Sequence, residues 1–143
     1  MSERVDAKRE QGSVVQAVTL RLVHKPGSAA VEADLVYCTE DPYAVSVVFK
    51  EPGNEVTWTF SRDLIATGIH SPSGIGDVLL WPCLDDGGNA VVMLELVSPD
   101  GSALLEGQSS DISTFVQRAL ALVPLGEESA LLDVDAAVAS LLT

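Results

Sequence analysis

The residue types best able to do chemistry in this chain lie between His70 and Asp77, where His70, Ser71, Ser73 and Asp77 supply a base, two hydroxyls and a carboxylate. Such a set names acyl hydrolysis, with serine as nucleophile, imidazole as base and carboxylate as its orienting group. The spacing argues against it, because residues this close in a turn-rich loop have no reason to form a triad, and neither serine has nucleophile-elbow surroundings. His70 is expected to be a partly exposed loop residue bonded to nearby backbone. Gly74-Ile75-Gly76 suggests a phosphate cradle, but the dinucleotide fingerprint needs Gly or Ala at 79, where Leu79 stands, and a helix should follow. A strand is indicated instead, no lysine completes a P-loop, and the glycines are expected to allow a tight turn into Val78.

The remaining candidates are weaker. Asp85-Asp86-Gly87-Gly88-Asn89 has oxygen ligands without the alternating spacing and closing Glu of a calcium loop, and reads as a solvated turn. His24 has no second His or Cys at ligand spacing, so no zinc site is expected. Trp58 and Trp81 are of the type that stacks bases, yet their surroundings hold only Lys50 and Arg62 against Glu51, Glu55, Asp63 and Asp77, so core or interface packing is expected. Arg62 and Asp63 admit two readings, recognition of a partner or a local ion pair on a short helical turn. No catalytic residue, metal ligand or cofactor site is expected, and the chain is not read as an enzyme.

Composition narrows the partners. The chain has 143 residues, enough for one domain with a substantial core, divided into a flexible tail at 1–12 and a single domain at 13–143. Eight Lys and Arg face 21 Asp and Glu; with Arg4, Lys8 and Arg9 in the tail, only 5 basic residues oppose 19 acidic ones from Glu10 onward. Such a charge repels polyanions, which disfavours nucleic acid and anionic membrane surfaces. The apolar runs fall far short of the ~20 residues of a spanning helix, and Met1 to Gln16 has no apolar signal core, so a cytoplasmic protein is expected. Cys38 and Cys83 each sit in an apolar strand pattern and are expected to be small buried thiols.

Strands must position all of this. Val18, Leu20 and Leu22 share one face of a strand, as do Val31, Ala33, Leu35 and Tyr37 of the next, Tyr43, Val45, Val47 and Phe49 of a third, and Val56, Trp58 and Phe60 of a fourth. Glu51-Pro52-Gly53-Asn54 fits a type II turn joining the last two. Ser61 is placed to cap a helical turn from Arg62 to Thr67, with Gly68 ending it in a left-handed conformation. The stretch from Ser71 to Gly76 reads as loop. Strands at Val78 to Cys83 and Ala90 to Val97, then a type I turn at Ser98-Pro99-Asp100-Gly101 and a short strand through Leu105, bring the count to seven.

The period then becomes helical. Ile112, Phe115, Val116, Ala119, Leu120 and Val123 form one stripe of a helix beginning near Ser110 or Asp111 and closing before Pro124. A second helix is predicted behind Asp133, with Val134, Ala137, Val138, Leu141 and Leu142 on one face. Strands first and helices last indicate an α+β fold, with curved antiparallel β-sheets forming a barrel-like domain and C-terminal helices.

Certain residues recur as a set: Asp41, Pro42 and Tyr43; Arg62, Asp63 and Gly68; Pro72, Gly74, Gly76 and Asp77; Trp81 and Pro82. In order and approximate spacing the set resembles the SsgA-like proteins, actinobacterial regulators of sporulation and cell division, and most of all their SsgB type. The resemblance implies a fold similar to the trimeric whirly single-stranded nucleic-acid-binding architecture. It further implies a non-enzymatic, cytoplasmic regulator that recruits or positions FtsZ at division septa during sporulation-specific division and acts with other family members as a homotrimer. A partner surface is expected at Pro124, Leu125, Gly126 and Glu127, in an exposed link that runs on to Glu128 and presents an apolar Leu flanked by acids. The alternatives are a single-stranded nucleic-acid-binding module, by fold analogy, and a barrel holding a small apolar ligand.

Overall fold

Stretches of alternating apolar and polar residues between Ser13 and Gln108 become the strands of one antiparallel sheet in the computed structural model. Residues 12–24, 27–129 and 141 are described. The expected tail, save Gly12, and the helix expected behind Asp133, save Leu141, lie outside them. The strands are β1 (Ser13–His24), β2 (Gly27–Cys38), β3 (Ala44–Glu51), β4 (Asn54–Ser61), β5 (Ser73–Ile75), β6 (Val78–Leu84), β7 (Ala90–Ser98) and β8 (Gly101–Gln108). Helix α1 (Arg62–Gly68) follows β4, and α2 (Ser109–Leu122) follows β8.

Strand order is β4-β3-β2-β1-β8-β7-β6-β5, so only the β1–β8 pairing joins elements distant in sequence. The sheet curls into a half-barrel, and its two edges face each other across a cleft of about 310 Å³ lined by Trp58, Phe60, Leu64, Ile75 and Val78. Leu20, Leu35, Val47, Leu80 and Leu94 are buried on the concave side. The α2 stripe of Ile112, Phe115, Val116 and Ala119, with Val123 beyond it, closes that core. Where α2 folds back on the sheet, a Cβ at Gly107 would lie 2.9 Å from Leu20 Cδ2 and 3.2 Å from Ile112 Cδ1. Glycine is what permits that approach.

Several expectations are corrected. The stretch from Ser71 to Gly76 contains an eighth strand, β5, paired with β6 through a two-residue Gly76-Asp77 turn in which Gly76 has φ +62°. Three residues including a glycine are too short to display a period. Ser61 caps α1 as expected, its Oγ accepting from Leu64 N at 3.0 Å, but Gly68 is not left-handed. The helix closes on Ile69 with φ −74°, and Gly68 is required because a Cβ there would sit 2.6 Å from Leu80 Cβ.

Helix α2 starts at Ser109 with Gln108 as N-cap and no side-chain cap bond, because β8 runs straight into it rather than pausing at Ser110 or Asp111. Tyr43 belongs to the turn before β3 and is exposed, and Val56 is exposed on the edge strand. Cys38 is half-buried and Cys83 exposed, since β6 outruns β5 after Leu80 and has no neighbour on that side. Pro82 sits in that unpaired stretch, where its missing N–H matters least.

Gly68→Ala should lower stability by about 2 kcal/mol through overpacking against Leu80, measured by urea unfolding. An unchanged midpoint would mean that α1 is free to lift from β6.

Candidate functional site

Arg62 is the most deeply placed charged residue described, 1% exposed beneath the Tyr37 ring with the guanidinium carbon 5.0 Å from the ring centroid. Its position follows from the capped start of α1: the backbone N–H of Arg62 donates to Tyr43 O at 2.7 Å, which directs the side chain inward. Nη1 donates to Val123 O at 2.6 Å, Ala119 O at 3.2 Å and Tyr37 Oη at 3.2 Å, and Tyr37 in turn donates to Pro42 O at 3.0 Å. Nη2 lies 3.0 Å from Glu128 Oε2 in an ionic contact, while Nε makes no hydrogen bond.

The guanidinium therefore caps α2 from another part of the chain. The last carbonyls of a helix lack internal partners and carry the negative end of its dipole, and α2 has no basic residue in its last turn. Arg62 supplies both the donors and the charge. On the far side, Glu128 is 4% exposed and its Oε1 accepts from Gly126 N at 2.7 Å. Glu127 N donates to Pro124 O at 3.0 Å, and Gly126 takes φ +89°. The turn from Pro124 to Glu127 is thus fixed from beneath, its four residues exposed and Leu125 69% so.

Electrostatics match this geometry. The Glu128 carboxyl is held below the usual glutamate range, first by its own backbone N–H, then by Arg62 and the Gly126 N–H, against burial, which pushes it up. Burial raises the Tyr37 hydroxyl above its ordinary value, with the Arg62 charge opposing.

The sequence-derived residues divide. In the turn from Asp41 to Tyr43, the Tyr43 carbonyl accepts from the Arg62 backbone N–H, the Pro42 carbonyl accepts from Tyr37, and Asp41 O accepts from Ala44 N at 3.2 Å. Gly68, Gly74, Gly76 and Asp77 shape the β5–β6 hairpin against α1: a Cβ at Gly74 would strike Leu79 Cδ2, and Asp77 O accepts from Val97 N at 2.9 Å. Pro72 and Trp81 line a shallow cleft beside that hairpin, and Pro82 follows on the open side of β6. The local ion pair between Arg62 and Asp63 is not formed: Asp63 is exposed in the first turn of α1, and the buried arginine pairs with Glu128. His70 is exposed, and its backbone rather than its imidazole bonds Thr67 O at 3.0 Å.

Tyr37 was absent from the sequence-derived set, and Glu128, expected at the end of the exposed link after α2, is buried instead because its carboxylate pairs with Arg62. One signal pointed toward them. A cation at the first position of a helix opposes the macrodipole, so Arg62 directly after its Ser61 cap required a compensating tertiary role.

Fold and site together define a small acidic half-barrel in which one buried arginine fixes an exposed apolar turn. The family model described as "Streptomyces sporulation and cell division protein, SsgA" matches residues 31–128, and the chain belongs to that family. It is 42% identical over 137 residues to the sporulation-specific cell division protein SsgB of Kineococcus radiotolerans, covering 95% of this chain and 82% of that one. Against SsgB of Streptomyces coelicolor the identity is 45% over 118 residues, covering 81% and 85%. The crystal structure of an SsgA-like sporulation-specific cell division protein from Thermobifida fusca superposes with a TM-score of 0.82 at 37% identity, covering 91% and 96%.

Glu128→Gln should destabilise the protein by about 3 kcal/mol at pH 7, because it leaves a buried guanidinium without its counter-charge. A depressed carboxyl contributes stability above its unfolded value near 4.3 and loses it as pH falls through the folded value. The difference between the two proteins in urea unfolding should therefore narrow progressively as pH falls from about 5 through the depressed folded value. A gap that stays constant with pH would contradict the pairing.

Proposed function

We propose that the chain is an SsgB-type sporulation-specific cell division protein that recruits or positions FtsZ at division septa, with the Leu125 turn as its contact. The observation that carries the reading is an exposed Leu at the tip of a turn held by a buried ion pair beneath it. A preformed apolar contact loses little conformational freedom on binding. Relatives that match most of the chain are named as sporulation-specific cell division proteins, which supports the setting. Action in the cytoplasm as a homotrimer, together with other family members, belongs to the same proposal.

Charge decides how such a contact works. FtsZ as a family is also acidic, so long-range attraction cannot steer the encounter and contacts must be local and partly apolar. Binding then weakens little with salt. Nucleic acid is disfavoured on the same ground: Arg21, Lys50 and Arg62 are paired with Glu106, Asp34 and Glu128, and Arg118 bonds Gln16. Among the described residues this leaves no cationic stripe to follow a phosphate backbone.

Leu125→Ser combined with Glu127→Gln changes only exposed side chains and should leave unfolding unchanged. It should reduce co-sedimentation with GTP-assembled FtsZ by about tenfold or more, as expected when an anchoring apolar contact is lost. Retention of full co-sedimentation by the folded double variant would reject this surface.

A further inference from the structure

The concave face of the sheet has a second end, away from α1 and α2, and it is open. There the side chains enclose a cavity of about 370 Å³ whose floor includes Leu22, Phe49, Trp58 and Leu105. Its rim carries Glu51, at the end of β3, and Asp100, in the β7–β8 turn. Both carboxylates are exposed, and neither is paired with a cation among the described residues.

We propose that this cavity binds a small amphipathic cation, with the hydrocarbon part on the floor beside Trp58 and the ammonium group at the Glu51 and Asp100 carboxylates. The volume lies in the range of small-molecule sites, which are mostly apolar with a few orienting polar groups. An extended peptide would bring backbone N–H and C=O groups onto a floor of side chains, since Phe49 lies in a strand bonded on both sides and Leu105 in another. Those groups would go unmatched, which is unfavourable away from water. An alkyl chain has no such need and buries its methylenes against the apolar floor beside Trp58. The net charge of −13 further concentrates cationic ligands at the surface.

The test is calorimetric titration of the full chain with octylammonium and with octanoate, both kept below micelle formation. Octylammonium should bind about tenfold or more tightly than octanoate, the scale of a hydrogen bond to a charged group, and about fourfold more tightly than heptylammonium, the increment for one buried methylene. Glu51→Gln with Asp100→Asn, both exposed positions that leave the core intact, should abolish the preference for the amine. Ala103→Phe, which fills the cavity, should block both ions. Equal binding of amine and carboxylate, amine binding unaltered in the carboxylate variant, or no binding of either ion would each overturn the proposal. So would an Ala103→Phe protein that changes oligomeric state while the parent binds no amine, because the face would then be a contact between copies.

Discussion

A guanidinium removed from water is unfavourable unless its charge and donors are matched, and at Arg62 that requirement draws four stretches of chain together. Tyr37 covers it from β2, the Tyr43 carbonyl fixes its backbone, Ala119 and Val123 accept from it at the end of α2, and Glu128 supplies the counter-charge. The sheet fixes where β2 and β3 lie. The arginine decides where α2 ends and how the chain leaves it. A hydrophobic residue in the same place would fill the volume without specifying the angle of the departing chain, which here depends on directional bonds.

That constraint also holds the turn that follows α2. The Pro124 to Glu127 turn has few contacts of its own and is held by the Glu128 bond to Gly126 and by the Glu127 bond to Pro124. Its Leu125 is exposed at the tip of the backbone that these bonds hold. The acidic surface follows from the same economy of cations, since the placed arginines and lysines of the body are engaged with neighbouring side chains. Interaction by shape and apolar contact is what such a surface favours.

Features set by neighbouring residues were legible in the sequence. Pro52-Gly53 and Pro99-Asp100-Gly101 encode their hairpins through local dihedral preferences, and the register places Glu51 opposite Asn54 and Ser98 opposite Gly101. The α2 stripe could be read because a single face repeats every three to four residues. Features set by distant residues were not. Arg62 meets partners 57 and 61 residues away in Ala119 and Val123, and no local pattern announces them. Gly68 looked like a helix terminator because its contact with Leu80 exists only after β6 packs on α1. Trp58 was expected in core or interface packing, and it packs half-buried against the core while also lining the open cavity at the β4 edge.

A double-mutant cycle on Arg62 and Glu128 tests the central claim most directly, using Arg62→Met, Glu128→Leu and the pair, each measured by urea unfolding at pH 7. If the ion pair organises the end of α2, each single change strands a buried charge, and the double variant recovers about 2 kcal/mol or more relative to the sum of the singles. Additive losses would mean that the two residues act independently, and that the turn bearing Leu125 is held by something other than this bond.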